Sequence, residues 1–151
     1  MFQFKKILVP LDGSALAETA LEPALAIARA MAAEVVLFRV AQPIPRTPEL
    51  AKMPDVYNDV VAATYREAED YLQNVRTQWP DDKISIEYKP ASYPVAEQII
   101  DYATHNDIDL IVMSSHGRTG VSRWVHGSVT DKVLQGGASC ATLVIRCQQD
   151  S

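Results

Sequence analysis

The sequence predicts an α/β fold: a five-stranded parallel sheet of order 3-2-1-4-5 with helices on both faces. Short runs rich in β-branched residues alternate with longer stretches of helical spacing, and such alternation closes into a parallel sheet through right-handed crossovers. Most of the short runs lack the polar alternation of a strand with one wet face, so they read as strands buried on both sides. No glycine lies between Gly13 and Gly117, so the glycines gather after the first strand and around the fourth and fifth. In a sheet of this order those turns meet at the switch point where ligands bind.

Lys6–Leu11 is the first strand, ended by Asp12-Gly13-Ser14. From Ser14 to Ala33 the apolar residues return at helical spacing (Leu16, Ala20, Leu25, Ile27), with Ser14 placed to cap the first turn and Pro23 predicting a kink or a local loss of one hydrogen bond. Glu34–Val40 is the second strand. Four of the nine prolines fall at positions 43 to 54, so residues 41 to 56 read as an irregular surface loop and the natural lid of a site. Val56–Trp79 carries a long helical stripe (Val60, Ala63, Thr64, Ala68, Tyr71, Leu72, Val75), stopped by Pro80-Asp81-Asp82. Lys83–Lys89 alternates and reads as a half-exposed strand near an edge. Pro94 suits the first turn of a helix running to about His105, with Val95, Ile99, Ile100 and Ala103 inward. Asp109–Met113 is the fourth strand; residues 114–127 form a Gly-, Ser- and His-rich connection, Ser128–Gln135 a short helix, and Ala141–Arg146 the fifth strand.

The 151 residues suit one domain, 1–151, and 48% hydrophobic with 22% charged residues is enough to build a core. A net charge of −5, from 14 basic against 19 acidic residues, argues against a broad nucleic-acid surface and leaves room for a local anion site. No uncharged apolar stretch reaches the ~18 residues of a membrane-spanning helix, and no signal peptide is visible, so no membrane partner and a cytoplasmic location are expected. If the run between Cys140 and Cys147 is extended, the two are roughly 23 Å apart and cannot pair with each other.

The chemistry concentrates in residues 113 to 130, where a strand runs into small residues, a basic loop and then Gly127-Ser128 at a helix start. A helix N-terminus offers unpaired N–H groups and partial positive charge, and glycine admits phosphate oxygens to the backbone. Arg118 and Arg123 add charge, and Ser128 and Thr130 add hydroxyls, which together suit a polyphosphate cradle. From spacing alone, an ordinary glycine-containing connection with a capped helix is an equal reading. Neither Gly-x4-Gly-Lys-Ser/Thr nor Gly-x-Gly-x2-Gly occurs, so the usual NTPase and dehydrogenase readings lose their support.

Val9-Pro10-Leu11-Asp12-Gly13-Ser14 near the start, with Ser115-His116-Gly117-Arg118-Thr119-Gly120 and Gly127-Ser128-Val129 near the end, resembles the universal stress protein family over essentially the whole chain. Nucleotide-binding members of that family carry Gly-x2-Gly-x9-Gly-Ser/Thr. Here Gly117, nine residues and Gly127-Ser128 match the second part, and Ser114 stands at the first glycine. The resemblance implies a Rossmann-like fold, related to the adenine nucleotide alpha hydrolases. It also implies a homodimer that binds ATP (or ADP or AMP), with Mg²⁺ or Mn²⁺ as a companion of the triphosphate, and acts in stress responses, mostly without defined catalysis. A second branch of the family does not bind ATP.

Carried over residue by residue, the resemblance places Pro10 and Asp12 beside adenine and ribose, with Leu11 between them, and the backbone of Val40 at the adenine edge. Met113 would pack on the base, and Ser114 and Gly117 would line ribose and α-phosphate. His116 and Arg118 would flank the phosphates, with Gly120 in the same loop, and Gly127, Ser128, Val129 and Thr130 would hold the β- and γ-phosphates. Each has a plainer account as well: Asp12 as a turn stabiliser, Met113 as core, His116 as a loop residue. His105 and His126 have no partners at metal-ligand spacing, so no structural metal is expected.

A dedicated enzyme would need an activated nucleophile or base. Ser14 and Ser128 sit where a helix cap explains them, and no Gly-x-Ser-x-Gly elbow occurs. Slow ATP turnover needs only a positioned water beside a bound triphosphate and metal. A nucleotide-dependent stress-response module whose occupancy shifts the 41–56 loop therefore leads. A ligand-free homodimeric interaction module is the alternative, and a nucleotidyl or phosphate transferase is disfavoured by the absence of a Ser-Gly-Gly-x-Asp-Ser loop. Strand 141–146, at the sheet edge, is the expected dimer contact.

Overall fold

The computed structural model describes residues 1–41, 44–80, 83–89, 94–117 and 128–148. Five strands, β1 (Lys6–Pro10), β2 (Glu34–Val40), β3 (Ile84–Lys89), β4 (Leu110–Gly117) and β5 (Ala141–Gln148), form one sheet in the order β3-β2-β1-β4-β5. Every adjacent pair is parallel, as the uninterrupted apolar runs require. Central β1 shows why those runs do not alternate: Ile7, Leu8 and Val9 are all fully buried, because both faces of the sheet are covered.

One core joins Ile7, Val9, Val35, Leu37 and Val112 to Leu21 and Leu25 of α2 (Leu21–Met31) and to Leu72 and Val75 of α4 (Pro54–Gln78). The other joins Leu8, Val36, Phe38, Ile111 and Met113 to Ile99 and Ala103 of α5 (Val95–His105) and to Val133 of α6 (Ser128–Gln135).

The predicted single helix from Ser14 to Ala33 is instead two, α1 (Ala15–Glu18) and α2, broken at Thr19 and Ala20. Pro23 is the cause. It has no N–H for the carbonyl of Thr19, and the chain answers by placing the proline in the first turn of a new helix, where no N–H is needed. The predicted irregular loop from 41 to 56 also holds structure, since α3 (Pro48–Ala51) sits inside it and α4 already starts at Pro54. Both prolines take first-turn positions, and Thr47 Oγ1 caps α3 by accepting from the Leu50 N–H at 3.2 Å. Clustered prolines punctuate helices as readily as they exclude them. Of the predicted α4 stripe only Ala68, Leu72 and Val75 are fully buried, because the first turns of the helix run past the sheet and leave Val56 exposed.

Two strands outrun their predicted ends. β4 continues to Gly117 and stays paired with β5 as far as Gln148, whereas its register with β1 ends at Leu8 opposite Ile111. β1 meanwhile stays with β2 through Pro10 opposite Phe38. The sheet therefore parts between β1 and β4 at its carboxyl edge, and the parting is the crevice expected at the switch point.

Candidate functional site

The β1–α1 turn forms one wall of the crevice. Gly13 has φ +89°, a conformation that L residues rarely take, which lets the chain turn sharply out of β1. Asp12 Oδ1 accepts from the Ser14 N–H at 2.8 Å, and Ser14 Oγ accepts from the Ala17 N–H at 3.1 Å, so turn and helix start are locked in series. The plainer account of Asp12 is thus present, although the residue also borders the cavity.

That cavity measures about 310 Å³, at the lower end of ligand-pocket sizes. Pro10, Leu11, Asp12, Ser14, Leu16 and Ala17 line it from the β1–α1 side, Phe38 and Val40 from β2, and Met113, Ser114 and Ser115 from β4. Val95 of α5 and Val129 and Thr130 of α6 complete it. Asp12 is the one ionisable side chain among these lining residues, so the described part of the site is an apolar slot edged with hydroxyls.

Of the predicted residues, Pro10, Leu11, Asp12, Val40, Met113, Ser114, Val129 and Thr130 meet at this one cavity. His116 and Gly117 form the last two positions of β4, and Ser128 is the first residue of α6. Arg118, Gly120 and Gly127 lie outside the described residues. Sequence reasoning did not assign Ser14, Leu16, Ala17, Phe38, Val95 and Ser115 to the site. Phe38 and Ser115 were legible in principle, because each lies two residues from a predicted lining residue in the same strand and so shares its face.

Ser114, which replaces the expected glycine, has its side chain engaged. Its Oγ lies 2.7 Å from Thr19 Oγ1, which in turn donates to the Leu16 carbonyl at 2.5 Å and lies 2.9 Å from Cys147 Sγ. The helix break forced by Pro23 is what presents Thr19 to β4. Cys140 and Cys147 are both free thiols, and burial together with the nearby Asp109 charge pushes the Cys140 pKa up.

Beneath the turn, on the opposite sheet face, lies a buried charge. Arg39 is 6% exposed, its Nη1 stands 3.0 Å from Glu67 Oε1, and its guanidinium covers the Tyr71 ring at 4.7 Å. A Cβ on Gly13 would sit 3.5 Å from the guanidinium nitrogens, so the turn rests on this cation. Burial, then the negative charge of Glu18, pushes the Tyr71 pKa up to about 12, with Arg39 opposing.

A parallel sheet that parts at the switch point over an apolar slot, with a helix starting at its rim, defines a doubly wound α/β protein with an apolar crevice at its carboxyl edge. The sequence matches the Universal stress protein family over residues 3–146, and the chain belongs to that family. It is 28% identical over 144 residues to universal stress protein MJ0531 of Methanocaldococcus jannaschii, covering 95% of this chain and 82% of that one. It is 27% identical over 148 residues to YxiE of Bacillus subtilis, covering 95% and 99%. Among solved structures, MJ0577 superposes with a TM-score of 0.76 at 27% identity, covering 99% of this chain and all (100%) of the other. UspA of Lactobacillus plantarum superposes at 0.66 and 32% identity, covering 97% and 100%. A universal stress protein solved with cAMP (TM-score 0.61, 21% identity; 96% and 98% covered) and one from Arabidopsis thaliana with AMP bound (0.60, 16%; 97% and 93%) share the fold.

Proposed function

We propose that this universal stress protein binds an adenine nucleotide, with ATP favoured, in the crevice between β1 and β4 and acts as a nucleotide-dependent regulatory module without dedicated catalysis. The observation that carries this reading is the convergence on one cavity of eight residues that the family resemblance picks out from both ends of the sequence. The apolar slot between Val40 and Met113 suits a flat base, with the Val40 backbone at its edge and Pro10, Leu11 and Asp12 toward the ribose. Ser114 and Gly117 then border the sugar and α-phosphate. The α6 start at Ser128, with Val129 and Thr130, suits the outer phosphates through its free N–H groups. Since the described lining offers no cation, Arg118, and with it Arg123, supplies the positive charge, beside His116, Gly120 and Gly127 of the same segment. That relatives of this fold hold cAMP and AMP supports an adenine nucleotide rather than another ligand.

Among the described residues no group of three or more His, Cys, Asp or Glu could hold a metal ion. The described side chains alone therefore do not fit Mg²⁺ or Mn²⁺, and a divalent ion enters this reading only as a companion of the phosphates.

The test is mass spectrometry of ligand released from freshly purified, denatured protein, with ATP titration calorimetry on wild type and Gly127→Val. Co-purified adenine nucleotide, and heat that disappears in the folded variant, are expected. Absence of both nucleotide and heat at millimolar ATP would leave the non-binding reading. Limited proteolysis of the same samples checks the regulatory part, because nucleotide should protect the α3 region; unchanged cleavage there would sink it.

Homodimerisation through β5 is the second part of the proposal. The Ala141 N–H bonds the Asp109 carbonyl on the β4 side at 3.2 Å, so by the two-residue period of a strand the Val144 N–H faces the open edge. Val144→Pro therefore removes an edge donor and leaves the pairing with β4 intact. A monomer by light scattering is expected, and an unchanged dimer mass in the folded variant would count against this interface.

A further inference from the structure

Ser114 and Ser115 are neighbours in β4 that face opposite sides of the sheet, and their hydroxyls meet different fates. That of Ser114 is tied to Thr19 at 2.7 Å, on the side of α1. That of Ser115 lies on the Met113 side. Ser115 is 1% exposed and lines the cavity, yet its Oγ has no hydrogen-bond partner among the described residues. The nearest comparable group, Thr130, is 4% exposed and is satisfied by the Ser114 carbonyl at 3.4 Å.

A buried hydroxyl without a partner has lost its water and received nothing in exchange, so folding selects against it unless another molecule completes it. An apolar replacement of the same shape would make a more stable empty protein. Position indicates what completes it. Met113, two residues earlier on the same face, borders the slot suited to the base, and Val129 and Thr130 of the first turn of α6 line the same cavity. Ser115 follows Met113 toward the carboxyl end of β4, and the adjacent Ser114 carbonyl already accepts from Thr130 of α6, so Ser115 suits the sugar and first phosphate, which join a base to its outer phosphates.

We infer that the Ser115 hydroxyl is a ligand-reading group, completed by an oxygen on the sugar-phosphate portion of the bound nucleotide, whereas the Ser114 hydroxyl is spent inside the protein. This inference rests on the proposed nucleotide site and adds to it a contact that the family motif does not single out.

Two quantities that a structural hydroxyl would move together separate this idea from its rival. Ser115→Ala should weaken ATP binding about ten-fold, the loss of one hydrogen bond in a dry site. In the nucleotide-free protein its melting temperature should hold or rise, since an unsatisfied group has been removed. Ser115→Cys, with a poorer donor, should fall between the two in affinity. Calorimetry with ATP and with 2′-deoxyATP then identifies the oxygen. A loss seen for ATP but not for the deoxy form places the bond on the 2′-hydroxyl, and equal losses place it on one of the remaining sugar or phosphate oxygens. Wild type that binds ATP together with Ser115→Ala that binds it equally well would overturn the inference alone. So would a variant whose nucleotide-free stability drops in step with its affinity. Wild type that gives no heat at millimolar ATP would instead overturn the underlying nucleotide reading.

Discussion

Phe38 and Arg39 are consecutive in β2 and point to opposite faces of the sheet, and the two environments they enter could hardly differ more. Phe38 joins the apolar core under α5 and α6 and forms part of the cavity wall. Arg39 is equally hidden, but beneath the β1–α1 turn, against the Tyr71 ring and beside Glu67. One side of the crevice is therefore an open apolar slot, and the other is a closed charged buttress. The contrast teaches that the two jobs of such a turn, bordering an open cavity and holding its own shape, are divided here between the sheet faces. Polar material is concentrated where it fixes the turn, so the receiving face can stay dry.

The comparison breaks most visibly at Phe38. Phe38→Ala should cost about 3–5 kcal/mol in chemical denaturation, because a fully buried ring leaves a cavity that the stiff sheet cannot close. Arg39→Met, by contrast, should cost less than about 1–2 kcal/mol. Its partner Glu67 has a side chain 60% exposed and returns to water when the cation goes, leaving mainly the lost ring contact. A larger loss for Arg39→Met than for Phe38→Ala would reverse the assignment of the two faces.

Gly13→Ala sharpens the comparison at the turn itself. Space is not the obstacle, since the nearest guanidinium atoms would be at ordinary contact distance, 3.5 Å; the φ of +89° is. The expected cost is about 1–2 kcal/mol. ATP affinity should fall as well, because a turn displaced from that conformation no longer holds Asp12 and Ser14 in their hydrogen-bonded positions. A variant of full stability and affinity would show that the turn is not strained.

The sheet and its order were legible because burial on both faces leaves its mark residue by residue: Ile7, Leu8 and Val9 have no polar partner in the pattern, and the structure leaves none of them exposed. Eight of the residues that line the cavity were legible through the family resemblance, which carries them over position by position, whereas strand ends and glycine positions by themselves locate only the switch point. Pro48 and Pro54 were misread in their consequences, as parts of a loop instead of helix starts, and Pro23, read as a kink or one lost hydrogen bond, breaks the helix in two, because a proline states where an N–H is missing and not which side of it the helix lies. Arg39 was invisible as a buttress. Its role depends on Glu67 and Tyr71, about thirty residues further along the chain, and on a turn that only the folded sheet brings above it. The engagement of Ser114 by Thr19 was hidden likewise, because it follows from a helix break whose position the sequence pattern does not specify.

The smallest expected effect lies in the charged buttress and appears only at high pH. Tyr71 has its pKa raised from 10.0 to about 12 by burial and by Glu18. In the unfolded chain the same phenol ionises near its ordinary value, so below pH ~10 both states keep the proton and its contribution to stability is complete. Between about pH 10 and 12 the unfolded state loses the proton first, binds fewer protons than the folded state, and is favoured increasingly; stability therefore falls as pH rises through that window. Tyr88 and Tyr102 are also raised, so the wild-type profile contains more than one contribution. Tyr71→Phe isolates the one at the buttress: urea denaturation across pH 9 to 12 should show a shallower decline than in wild type, and one fewer phenol should titrate late by absorbance. Superimposable profiles would mean that the ring beneath Arg39 is not held neutral by its surroundings, and the closed face of the crevice would then be wetter than its packing indicates.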